Sequence, residues 1–234
     1  MQPIPEDWDR AVAVVAHPDD LEYGAAAAVA RWTAQGKTVA YVLASRGEAG
    51  IAGMAPAAVG PLRVDEELRG AALVGVTDVE FLDHADGVIE YGLPLRRDLA
   101  AAFRRLRPEV VLTMSFDLTW GEEGPVNHAD HRAVGLAVLD ACRDAANEWV
   151  FADAGLACDT IRDAYVCGTG NPTHFVDVTG TIDAGIASLR EHRAYLGGLG
   201  GDLDPDEFLR NMAGFTGLAA GCEYAVGLRR YPMG

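Results

Sequence analysis

Two short polar clusters in this 234-residue chain carry side chains that can ligate a metal ion and move a proton: His17-Pro18-Asp19-Asp20 and His128-Ala129-Asp130-His131. A catalytic zinc site takes three protein ligands and keeps a fourth position for water. His17 and Asp20 stand three residues apart, and His131 adds a second imidazole, which makes a His₂-carboxylate set. An ion held this way stays Lewis-acidic enough to lower the pKa of a bound water and to polarise a carbonyl. Asp19, adjacent to Asp20, can point toward that water, where a general base must be. His128 and His131 lie one helical turn apart and face the same way. One can bind metal while the other offers an N–H to a developing oxyanion or a leaving amine. Asp130 can orient an imidazole, and spacing alone does not say which.

Each cluster also has a plainer reading. Pro-Asp-Asp before an Ala-rich stretch is an ordinary helix start, with an aspartate capping free N–H groups. His-x-Asp-His can be a first helical turn with its aspartate against the dipole. Together, at the ends of strands of one sheet, they supply three ligands, a base and an acid, and that joint occurrence favours chemistry.

The secondary structure around these clusters can be read from hydrophobic pattern. Ala11–Ala16 is a continuous apolar run of the kind buried on both faces of a parallel sheet. A helix is expected from Asp20 to about Gln35, with Gly36 just past its end. Thr38–Leu43 reads as the next strand. Ser45–Gly60, with four glycines and a proline, reads as a long loop of the sort that carries function. Leu62–Val74 is helical and Val79–Leu82 a short strand. Leu95, Leu99, Phe103 and Leu106 recur at helical spacing up to Pro108. Val110–Met114 is a buried strand, and a helix follows His131 through about Ala146. Later strands are expected near 163–167, 175–178 and 223–228, and helices near 182–196 and 205–218. Strands alternating with helices imply an α/β fold, a doubly wound, mostly parallel sheet with helices on both faces. In such sheets ligands bind beyond the carboxyl ends of the strands, where strand order reverses. Nothing marks a second domain, so residues 1–234 are read as one, with the C-terminal third (about 150–234) furnishing pocket or lid elements. The glycine-rich Gly197–Gly201 is the place for such a lid.

Composition narrows the partners. Nineteen basic residues against 35 acidic ones give a formal charge of −16, which repels phosphate backbones and anionic bilayers. Nucleic acid and membrane are therefore not expected as partners. A small polar ligand is, and self-association stays open. The N-terminus lacks a basic region followed by a long apolar stretch, so no secretory signal is expected. No apolar run reaches membrane-spanning length. The four cysteines form no C-x-x-C pair, consistent with buried free thiols in a reducing cytoplasm.

Ala16-His17-Pro18-Asp19-Asp20 and His128-Ala129-Asp130-His131 resemble the A-H-P-D-D and H-x-D-H signatures of the LmbE-like, or PIG-L-type, N-acetylglucosaminyl deacetylases. Arg46–Gly50, Arg63–Glu67, Leu73–Val76 and Asp86-Gly87 extend the similarity over about residues 11–145, and Leu189–His192 continues it loosely. The resemblance implies a Rossmann-like sheet and hydrolysis of an N-acyl group, usually acetate, from an amino sugar or its conjugate. It implies His17, Asp20 and His131 as ligands of Zn²⁺ (with Fe²⁺ or another divalent ion as the alternative) and Asp19 as base. His128 would stabilise the oxyanion or donate the proton, with Asp130 behind it, and Arg63 and Asp86 would contact substrate. Leu21 departs from the family, many of whose members have an acidic residue there; Val126 replaces a tyrosine found in some. Two other functions fit the motifs less fully. One is an amidase of a thiol or natural-product conjugate. The other is a Rossmann-like metabolite-binding module, disfavoured because the first strand ends in His-Pro-Asp-Asp rather than glycines.

Overall fold

The computed structural model describes residues 1–121, 123–200 and 204–233. Strands and helices alternate from β1 (Gln2–Pro3) and β2 (Arg10–Val15) through α1 (Asp20–Gly24), α2 (Ala26–Ala34), β3 (Thr38–Leu43) and α3 (Pro56–Leu73). They continue with β4 (Asp78–Phe81), α4 (Leu93–Leu106), β5 (Val110–Met114), α5 (Ala129–Ala146) and β6 (Asp163–Cys167). The chain closes with β7 (His174–Asp177), α6 (Ile182–Arg190), α7 (Arg193–Gly198), α8 (Pro205–Ala220) and β8 (Ala225–Pro232).

All eight strands form one sheet in the order β1-β7-β8-β6-β5-β2-β3-β4. Every neighbouring pair is parallel except those of β8, which runs antiparallel to both β6 and β7. The apolar run in β2 is continuous because both its faces are covered. Ala11, Ala13 and Val15 face the core that holds Trp32, Leu112, Ile186 and Leu209. Val12 and Val14 face the other core, with Leu95, Leu99 and Phe103 of α4 and Ala137 of α5. Leu99 and Phe103 are fully buried, and each such side chain contributes about 1.5–3 kcal/mol. The fold is thus a doubly wound α/β sheet.

Strand order reverses beside β2. The chain leaves it for β3 and β4 on one side, then returns to β5 on the other. The carboxyl ends of β2 and β5, with the segments that leave them, therefore face one crevice.

Five elements differ from the pattern reading. The first helix is two, separated at Ala25 (φ −149°, ψ −2°). This lets α1 turn Asp20 and Glu22 inward while Ala26–Val29 of α2 pack on the core. Helix α3 begins at Pro56, where a missing N–H costs no hydrogen bond; Gly60 and Pro61 inside it obscured the helical period. The helix expected over 182–196 breaks at Glu191-His192, and β8 extends to Pro232. Strand β1 carries no apolar pattern and exists through its pairing with β7. Part of the lid expected at Gly197–Gly201 lies outside the described residues. Cys142, Cys158 and Cys167 are buried free thiols and Cys222 is half-buried. No helix among the described residues is long and apolar enough to cross a membrane.

Candidate metal centre

His17 sits two residues past β2, on the turn into α1. Asp20 opens α1 and folds back on this turn: its Oδ2 accepts the backbone N–H groups of Ala16 (3.1 Å) and His17 (2.9 Å). That leaves Oδ1 free, 3.0 Å from Nε2 of His131 on the first turn of α5. The same Nε2 is 3.3 Å from His17 Nδ1, which lies 3.6 Å from Asp20 Oδ2. Two donors bound tetrahedrally to one ion at about 2.0–2.1 Å are roughly 3.3 Å apart. The three side chains thus fit a single divalent cation.

The outer hydrogen bonds fix which ring nitrogens face inward. Asn127 donates its side-chain N–H groups to the carbonyls of Ser115 (2.8 Å) and Asp117 (3.1 Å), so its Oδ1 accepts from His131 Nδ1 at 3.0 Å. His131 Nε2 is then the bare nitrogen. Likewise His17 Nε2 is 3.0 Å from Asp86 Oδ1 and 3.1 Å from Asp130 Oδ2, leaving Nδ1 bare. Carboxylates or carbonyls behind ligand imidazoles are the usual means of setting tautomer and ring angle. Burial opposes charge on His17, but Asp20, Asp130 and Asp86 outweigh it and raise its pKa well above 6.5. Burial pushes the Asp20 carboxyl up, yet His131 and His17 hold it well below the usual carboxylate range.

This geometry gives Asp130 and Asp86 definite partners. Asp130 stands behind His17 rather than His128; its carboxylate also accepts the backbone N–H groups of Gly87 (2.7 Å) and Ile89 (3.1 Å). Asp86, expected to meet substrate, lines the cavity, stands 3.0 Å from His17 Nε2 and accepts the backbone N–H of Ala49 (2.7 Å). The signal that could have located Asp130 is its buried place one residue before His131 on the same helical turn.

Asp19 adopts the left-handed conformation (φ 83°), rare for a residue with a side chain. Helix α3 holds it there. Glu67 Oε2 accepts its backbone N–H (3.2 Å), and Arg63 Nη2 donates to its Oδ1 (2.9 Å) and to the Pro18 carbonyl. Arg63 also donates to the Gly47 carbonyl (3.4 Å) and lies 4.1 Å from the Tyr195 ring centre. A Cβ at Gly47 would fall 2.6 Å from the guanidinium, so only glycine admits it. Arg63 is therefore a clamp on Asp19 that also lines the cavity, rather than the partner of a glutamate on its own helix. Asp19 Oδ2 is buried without a hydrogen-bond partner, and burial pushes the carboxyl up to about 8 against the pull of Arg63.

Behind Asp19 lies a second buried group. His192 Nε2 is 3.8 Å from both Glu22 Oε2 and Glu67 Oε2, all with almost no exposure. Burial lowers His192 to about 3 and raises Glu22 to about 7 and Glu67 well above 4.5. The cluster carries less charge than its residue types suggest, and it was not foreseen in the sequence. His84, paired with Asp98, and His174, beside Thr173, lie outside the centre.

His128 caps α5 and is exposed, its ring centre 5.2 Å from that of His131 and 5.8 Å from that of His17. Trp120 stands edge-on to His131 at 5.8 Å; its place in a polar loop gave no sequence signal. His17, Asp19, Asp20, Asp86, His128 and His131 all line one cavity of about 820 Å³.

Comparison with known proteins bears on this arrangement. The family model described as PIG-L, GlcNAc-PI de-N-acetylase, matches residues 12–142, more than half of the chain. Diacetylchitobiose deacetylase of Thermococcus kodakarensis is 27% identical over 97% of this chain and 84% of its own. A 1D-myo-inositol 2-acetamido-2-deoxy-alpha-D-glucopyranoside deacetylase of Acidothermus cellulolyticus is 29% identical over 94% of this chain and 90% of its own. Among solved structures, N,N'-diacetylchitobiose deacetylase from Pyrococcus horikoshii superposes with a TM-score of 0.86, covering 97% of this chain and 85% of that one at 24% identity. That likeness shows the shared fold. The match from β2 to α5 contains both halves of the centre, and by it the chain belongs to the PIG-L family as a metal-dependent N-deacetylase.

Proposed function

We propose that this enzyme removes an N-acyl group, chiefly acetyl, from a small molecule containing an amino sugar, with Zn²⁺ held by His17, Asp20 and His131. The observation that supports it most is the meeting of His17, Asp20 and His131, from two distant segments, with ligand atoms all within 4.8 Å of one another. The named relatives act on acetylated glucosamine compounds, which suggests the same head group here. When bound, the ion supplies the Lewis acid that lowers the pKa of a water and polarises the amide carbonyl.

The chain's own residues do the rest. Asp19 accepts a proton from the attacking water at Oδ2, the oxygen that Arg63 leaves free. A base with a pKa near neutrality can both take that proton and return it. Asp86 and Asp130 hold His17, and Asn127 holds His131, so neither imidazole turns during the reaction. His128, the cavity imidazole outside the donor set, supplies N–H to the oxyanion or a proton to the departing amine. The C-terminal third belongs to the same catalytic unit, since α6, α8 and β8 furnish one wall of the cavity.

The test is a screen for acetate release from N-acetylglucosamine, diacetylchitobiose and a GlcNAc–inositol conjugate. The metal-free protein is compared with protein reloaded with Zn²⁺ or Fe²⁺. Turnover should follow one bound ion per chain and vanish in His131→Ala. Stoichiometric metal with no acetate from any N-acetyl amino sugar would reject the proposal.

A further inference from the structure

Arg63 is held at its edges by few acceptors for so deeply buried a charge. It is 2% exposed. Its Nη2 donates to Asp19 and Pro18 and its Nη1 to Gly47, while Nε finds no partner. The donors of a guanidinium lie in its plane, so these contacts leave its faces uncovered. The group stands over the ring of Tyr195, with the guanidinium carbon 4.1 Å from the ring centre, well inside the roughly 6 Å over which a cation is drawn to an aromatic face.

Tyr195 belongs to α7, a helix of six residues with none buried. So short a helix has little stability of its own, and its place is fixed from outside. The N–H of Ala194 donates to Glu66 Oε1 of α3 at 2.6 Å, and Arg69 of α3 donates to Glu191 at 3.0 Å. His192, fully buried, anchors the turn that opens α7. A Cβ at Gly198 would lie 3.0 Å from Ile51, so the far end of α7 abuts the loop that precedes α3. These contacts bring Tyr195, half-buried, to the wall of the cavity that Arg63 and Asp19 also line. Burial, and after it the charge of Asp19, raises the Tyr195 phenol above its usual range. It therefore meets Arg63 as a neutral ring.

We infer that Tyr195 is a positioning residue for the reaction: its ring holds the Arg63 guanidinium and screens the Arg63–Asp19 ion pair from water in the cavity. Its effect on turnover rests on the role proposed above for Asp19; its hold on Arg63 does not. An ion pair weakens as water raises the local dielectric, and a guanidinium without its aromatic cover is drawn toward that water. Asp19 would then lose the donor on Oδ1 and keep only the bond from its N–H to Glu67. The C-terminal third thus reaches the proton-transfer step through Arg63.

Steady-state kinetics on the metal-loaded enzyme test this. Tyr195→Leu keeps bulk and removes the aromatic face. It should lower kcat by about tenfold, move KM by less than about threefold and retain one metal ion per chain. Tyr195→Phe restores the face and should bring kcat back to within about threefold of the parent. A rise in KM with kcat unchanged would make Tyr195 a substrate contact instead. A Phe variant as slow as the Leu variant would assign the effect to the hydroxyl. Either result would overturn the inference.

A measurement without substrate separates it from the deacetylase proposal. In urea unfolding of the metal-free protein, Tyr195→Leu and Asp19→Asn should not act independently. Their effects on the unfolding constant should couple by at least about threefold, as for residues in one network. Additive effects would overturn the hold on Asp19 and leave a deacetylase that releases acetate intact. Coupling without acetate release from any substrate would reject the deacetylase and leave the hold standing.

Discussion

Asp19 joins an unusual backbone conformation to a carboxyl group that lines the cavity, and the two can be separated by substitution. Asparagine tolerates the left-handed region almost as well as aspartate but cannot take a proton. Asp19→Asn should therefore keep one metal ion per chain, by elemental analysis, and lower kcat by about 10²–10⁴-fold. Unchanged turnover would remove Asp19 from the mechanism. Asn127 is the less obvious residue, since its amide decides which nitrogen of His131 is bare. Removal of a group behind a ligand usually weakens metal binding by roughly 10–100-fold. Asn127→Ala should show a loss of that size in competition with a chelator. His17 gives a pH dependence with a definite sign. Its pKa in the metal-free fold lies above the unfolded value of about 6.5. The stability this contributes is complete below that value and is lost as pH rises through the folded-state pKa. Metal-free protein should thus lose unfolding free energy from pH 6.5 upward, measured by urea titration. Metal must displace the same proton, so metal affinity should fall by up to about tenfold per unit as pH drops below that pKa.

At the scale of elements, the centre depends on helices held at fixed distances from the sheet. Helix α3 reaches Asp19 with two side chains, Arg63 and Glu67, one turn apart on its buried face. Helix α6 packs against the start of α2 through Gly185, where a Cβ would lie 2.9 Å from the Ala27 backbone. Overpacking of this kind costs typically about 1–3 kcal/mol. Gly185→Val should lower stability by that amount in chemical denaturation, and because α2 and α6 both line the cavity, KM should rise with it. A variant as stable as the parent would mean that the two helices part without strain.

For the whole molecule, the metal centre joins segments more than a hundred residues apart, with His17 and Asp20 after β2 and His131 after β5. An ion that binds this folded arrangement and not the unfolded chain stabilises it by mass action. At a free concentration of 100 times Kd the gain is about 2.7 kcal/mol. For a chain of this length, each kcal/mol moves the unfolding midpoint by about 2–4 °C. Chelation should therefore lower Tm by roughly 5–11 °C, reversed by adding the ion back. A midpoint indifferent to chelator would mean that the three donors do not share an ion.

Much of this was legible in the sequence because it is local. A doubly covered strand must be apolar throughout, as in Ala11–Val15, and the His and Asp types of both clusters mark ligand-competent groups that the fold brings together. Helix ends were less legible where Pro56, Gly60 and Pro61 broke the period of α3. Which partner each side chain takes was not legible at all. The sequence offered Asp130 to either imidazole, and it lies against His17; it offered Arg63 to a substrate or a neighbouring glutamate, and it clamps Asp19. Type and spacing along a chain state what a group can do. Only the packing of α3, α5 and the 83–89 segment around the end of β2 decides what it touches, because those neighbours come from separate parts of the sequence and meet through burial of surfaces elsewhere.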